Sequence, residues 1–150
     1  MGATKSLSVY LRDHLAGASA GSELAKKLAA NNANTPLGSF LDQLAQEIDV
    51  DKSTLEGLMD RLEIARDPVA QAAGWVTEKL SRLKLNEAVT GSAELTRLLE
   101  LEALGAGIHG KLAAWRTLKH LRGDLPRLAG TDLDGLIQRA RRQRDELEAY

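Results

Sequence analysis

Thr35–Ala65 reads TPLGSFLDQLAQEIDVDKSTLEGLMDRLEIA, and the spacing within it decides the fold. Leu37, Leu41, Leu44, Ile48, Leu55, Leu58, Met59 and Leu62 recur mostly three or four positions apart. At about 100° per residue they gather on one side of an α-helix, whereas a half-buried strand would alternate. Thr35 stands where an N-cap belongs. Pro36 takes the first helical position, where its fixed φ suits the helix and its missing N–H has no partner to lose. The spacing predicts a helix from Pro36 to about Ala65. One residue breaks its stripe: Asp51 lies among the apolar positions.

Working outward, the same period fills most of the chain. A first helix is expected over Ser6–Ala30, with Leu7, Leu11, His14, Ala18, Gly21, Ala25 and Leu28 on one face and Arg12, Ser19, Glu23 and Lys26 opposite. Asn31, Asn32 and Asn34 mark its end. Asp67–Pro68 repeats the cap-and-proline signal and opens a short third helix to about Leu85, before a loop over Asn86–Ser92. A fourth helix, Ala93–Arg122, is apolar on more than one side, which suits a central helix or one at an oligomer interface. Gly123–Gly130, with Pro126, breaks the pattern. Thr131 is placed to cap a fifth helix with Leu133, Leu136, Ile137, Ala140 and Leu147 facing in. The expectation is a single all-α domain over 1–150, an up-down bundle of four main helices plus a short connecting helix.

Composition narrows the function classes. With 43% hydrophobic and 27% charged residues the chain is globular, and with only 3% aromatic residues its core is aliphatic. A net charge of −1 supplies no global field for nucleic acid or an anionic membrane. Cysteine is absent, which excludes disulfides, thiolate metal sites and cysteine nucleophiles and suits a cytoplasmic location. No leader-like apolar run opens the chain, and no window is long and apolar enough to span a membrane.

Candidate chemistry lies in the polar residues that interrupt apolar stripes. His14 lies nineteen positions before Ala33 and Asp51 eighteen after it. If the first two helices are antiparallel neighbours, the two residues share a level and a His14–Asp51 hydrogen bond is expected. Glu47 lies one turn from Asp51. Glu102 and His109 are seven apart, hence about 20° apart around the fourth helix. His14, Glu47, Asp51, Glu102 and His109 form the candidate metal set, with zinc, iron or manganese as the ion. The reading preferred over it is a buried polar network whose members satisfy one another. Small residues recur four apart at Gly17/Gly21, Ala16/Ala20, Ala103/Gly107 and Ala106/Gly110, which suggests close packing of the first and fourth helices.

This order of helices resembles the ferritin-like superfamily, in its small bacterial variant with an extra connecting helix. The resemblance implies an up-down bundle and, for its metal-binding members, Glu and E-x-x-H ligands on the main helices. This chain contains no E-x-x-H. Glu47–Ile48–Asp49–Val50 carries Val50 where the histidine would stand, the first helix offers His14 and Ala18, and the final helix carries Arg139, Arg141, Arg142 and Arg144 and no histidine. Glu102 alone matches a later-helix glutamate. No di-iron centre is therefore expected.

Three functions remain open. The first is a non-catalytic scaffold or interaction protein, as a homodimer through the fourth helix. The second is a mononuclear metal-binding, stress-related protein using His14, Asp51 and Glu102. The third is a binder of an unidentified small molecule between helices. The run Arg139–Arg144 lacks interleaved aromatics and is followed by Asp145, Glu146 and Glu148, so it reads as a solvated helix face. His120 suits the C-terminal end of its helix dipole, and Trp75 and Trp115 read as core or interface anchors. No nucleophile elbow, phosphate loop or Ca²⁺ loop is present.

Overall fold

The computed structural model describes residues 2–66 and 93–150, with side chains from residue 5 onward. Among these residues it holds four α-helices and no strand: α1 (Gly2–Asn31), α2 (Pro36–Arg61), α3 (Ala93–Leu121) and α4 (Leu133–Glu148). They are the first, second, fourth and fifth helices expected from the periodicity. The connecting helix expected over Pro68–Leu85, with Trp75, lies outside the described residues. No helix of the described residues is long and apolar enough to cross a membrane.

The turn between α1 and α2 forms as the cap signal requires. Thr35 Oγ1 accepts from the Gly38 amide at 3.0 Å and donates to the Asn32 carbonyl at 2.5 Å. Asn34 turns the chain at φ 64°. A side chain at residue 38 would put its Cβ 2.0 Å from the Asn32 carbonyl oxygen, so only glycine fits beneath the turn. α2 ends at Arg61, a few residues before the expected Ala65. Glu63 adopts φ 59°, and the Ile64 amide reaches back to the Met59 carbonyl at 2.8 Å. A left-handed residue that returns the next amide over the helix end is how many helices stop. It lets Ile64 rejoin the core at 5% exposure.

Two short 3₁₀ turns, Arg122–Asp124 and Pro126–Leu128, occupy the expected break before α4. The cap of α4 is Asp132, whose Oδ1 accepts from the Gly135 amide at 3.0 Å. Thr131, expected in that role, lies one residue too early. Its hydroxyl accepts from Arg61 at 3.0 Å instead.

The main helix packings are α1 on α2, α3 on α4, and α1 on α3. The core falls into two apolar clusters. One joins Leu11, Leu55, Leu58, Met59, Leu112, Trp115 and Leu118 to Leu133, Leu136, Ile137 and Ala140 of α4. The other joins Leu24, Leu28, Leu41, Leu44, Ile48, Leu104 and Ile108, and takes only Leu147 from α4. Along α2, Asp51 falls between the two clusters, and along α3 Lys111 falls between Ile108 and Leu112. A polar layer thus divides the interior. α3 is the shared neighbour of α1 and α4, which accounts for its apolar residues on more than one side. Leu98 remains 52% exposed near its start.

Of the glycines in the small-residue pattern, Gly110 alone marks an approach of α1 and α3. A Cβ added at Gly17, Gly21 or Gly107 would meet nothing within 4 Å. A Cβ at Gly110 would lie 3.9 Å from the His14 ring, and one at Gly105, outside the pattern, 3.6 Å from Leu147.

Candidate functional site: an ionic layer inside the bundle

The apolar stripe of α2 carries Asp51 inward, and the side chain is 3% exposed. A carboxylate there is costly unless it is paired and hydrogen-bonded. Two cations meet that need. Lys111 Nζ of α3 donates to Oδ2 at 2.9 Å, and Arg139 Nη1 of α4 donates to Oδ1 at 2.9 Å. Lys111 also donates to Oε1 of the fully buried Gln143 at 2.5 Å. One helical turn from Asp51, Glu47 accepts from Arg142, which also lies 3.5 Å from Glu146. The layer therefore joins three helices around one carboxylate.

Burial pushes the Lys111 amine below its ordinary value, with Asp51 opposing the shift through charge and hydrogen bond. The Glu47 carboxylate raises the Arg142 guanidinium above its ordinary value. Gln143 Nε2 is buried with no hydrogen-bond partner among the described residues, so one end of this amide is held and the other is not.

The expected His14–Asp51 hydrogen bond is not formed. His14 is half-buried, with its ring edge-on to Tyr10 at 4.5 Å between centroids and 70° between planes. The Tyr10 hydroxyl donates to Thr117 at 3.2 Å. The helix register explains the difference. Ser22 of α1 donates to Asp49 of α2 at 2.5 Å, and Arg12 donates to the Ala65 carbonyl at 2.8 Å. These contacts place His14 past Asp51, toward the C-terminal end of α2. Desolvation pushes His14 below its ordinary value, with Asp13 acting the other way.

The five candidate ligands are likewise dispersed. Asp51 and Glu47 are engaged by Lys111, Arg139 and Arg142, while Glu102 and His109 are exposed on the outer side of α3. No group of three or more His, Asp or Glu side chains among the described residues is close enough to hold a metal ion. The buried glutamate of α3 is Glu100, two positions from the expected Glu102. It is 4% exposed and lies 3.1 Å from Lys27 of α1.

The sequence singles out Asp51 but not Lys111, Gln143 or Glu100, although each of these three has a signal. Lys111 is three residues after Ile108 and four before Trp115, on the buried stripe of α3. Gln143 is three after Ala140 and four before Leu147 on α4. Glu100 is four before Leu104. Arg139 and Arg142, expected on a solvated face, reach across to the acids of α2.

Comparison with protein-family models, curated proteins and solved structures finds no match to this chain.

Proposed function

We propose that this chain is a ferritin-like helical bundle without a di-iron centre, acting as a non-catalytic scaffold whose working part is its surface. Its first expected partner is a second copy of itself. The observation that supports this reading is the engagement of Asp51. Each of its oxygens accepts from a different cation, so the groups best suited to interior chemistry hold the helices together. Positively charged neighbours also disfavour a divalent metal at that carboxylate, since neither Lys111 nor Arg139 offers a lone pair in its charged form.

Light scattering during size-exclusion chromatography, over a range of loading concentrations, tests the partner. A mass of twice the 16.2 kDa chain is expected. A monomer at every concentration overturns self-association. Melting curves with zinc, iron and manganese test the interior, because a ligand bound only by the folded state raises the midpoint as its concentration rises. No such rise is expected. A rise that His14→Ala abolishes would restore the mononuclear metal reading.

A further inference from the structure

The two halves of α4 are held by different forces. Its N-terminal half places Leu133, Leu136, Ile137 and Ala140 in one apolar cluster. Beyond Ala140, only Gln143 and Leu147 are buried. Leu147 lies against Gly105 of α3, at 3.6 Å from where a Cβ would stand, and is the one α4 residue in the second cluster. The remaining ties are polar or peripheral. Arg142 pairs with Glu47 of α2, Gln143 accepts from Lys111, and Tyr150, itself 58% exposed, stacks on Phe40 at 5.2 Å. Among the described residues the Gln143 amide nitrogen has no partner to add to the hold.

We infer that residues 141–150 form an electrostatically latched flap over the second apolar cluster, hinged where the apolar anchoring of α4 ends at Ala140. Opening breaks the Arg142–Glu47 and Gln143–Lys111 contacts and lifts Leu147 off Gly105. The N-terminal half of α4 stays seated, and so does Arg139 on Asp51. The latch pair is partly solvated, with side chains 42% and 19% exposed, so dissolved ions compete for it. The same competition barely reaches Asp51 at 3% exposure. Ionic strength therefore sets how often the second cluster is uncovered, without loosening the bundle as a whole.

Amide hydrogen exchange in the full chain tests this, comparing residues 141–150 with 133–140 at low salt and at about 1 M sodium chloride, where the screening length is about 3 Å. Exchange in 141–150 is expected to quicken severalfold with salt as one step beginning near Arg141, while 133–140 keeps its protection. Arg142→Gln and Glu47→Gln should each give the fast exchange at low salt and remove the salt dependence. The charge swap Glu47→Arg with Arg142→Glu should restore both. Graded fraying from Tyr150 inward that ignores salt and these variants would overturn the proposal. So would equal protection of both halves at both salt levels.

Discussion

Asp51 of α2 and Arg139 of α4 stand 88 positions apart in the chain and meet at 2.9 Å, at a level where the apolar core is interrupted. Lys111 closes the other side of the same carboxylate, also at 2.9 Å. The interior of this bundle is therefore keyed by charge as well as by shape, and helices α2, α3 and α4 have one register in which all three groups meet.

Removing the central member should be costly. Asp51→Ala leaves Lys111 buried without its counter-charge, and breaking one side of a buried ion pair typically costs about 3–5 kcal/mol. Arg139, 34% exposed, can turn to water, so Arg139→Ala should cost less. Asp51→Leu combined with Lys111→Met removes both charges and should recover much of the loss. Chemical denaturation of the wild type, Asp51→Leu, Lys111→Met and the double variant gives the coupling directly. Additive single effects would show that the pair does not act as a unit.

How far the layer was legible in the sequence follows from how each residue announces itself. Asp51 breaks a stripe of strongly apolar neighbours, so one helix is enough to find it. Its cations sit on other helices, and their pairing depends on inter-helix register, which a single helix does not encode. The α1–α2 turn lies where the sequence puts it, but equal distances from a turn define a shared level only for ideally facing helices, and the Ser22–Asp49 contact shows the real offset. That offset separated His14 from Asp51. Helix starts were clear where Thr35 and Pro36 carry the signal. The end of α2 was not, because Glu63 takes a left-handed conformation that glycine usually marks.

His14 gives the fold a pH dependence. Burial lowers its folded value below the ordinary 6.5, so the unfolded chain binds more protons in the window between the two. Stability should therefore fall as pH drops through about 6.5 and stop responding to this group below its folded value. His14→Phe, which keeps a ring beside Tyr10, should flatten that part of the profile. Denaturation midpoints measured between about pH 7 and about pH 5.5 check the sign. A profile unchanged by the substitution would contradict it.

Glu63→Gly should stabilise the chain. A left-handed backbone costs an ordinary residue about 1–2 kcal/mol, and glycine gives back about 0.5–1 kcal/mol through its freer unfolded state. The lost pair with Arg127, 57% and 78% exposed, contributes little. A net gain of about 0.5–1 kcal/mol, or a melting point raised by about 2 °C, is expected. A lower melting point would mean that the Glu63 side chain holds the end of α2 more firmly than its exposure suggests.

Glycine substitutions should split into two opposite classes, and the split bears on the surface of α1. Gly38→Ala drives a Cβ to 2.0 Å from the Asn32 carbonyl oxygen, which only a shift of the α1–α2 turn can relieve. A loss of about 2 kcal/mol or more is expected, within the range for steric conflict at a packed site. Gly17→Ala and Gly21→Ala meet open space and lie mid-helix, where alanine is better than glycine by about 0.8–1.0 kcal/mol. Each should raise the melting point of a monomer. The same substitutions destabilise a dimer whose partner packs closely on this face of α1. Melting curves at low and high protein concentration therefore read both properties at once. A gain at every concentration leaves that face open to water, and a loss that grows with concentration places the second copy there.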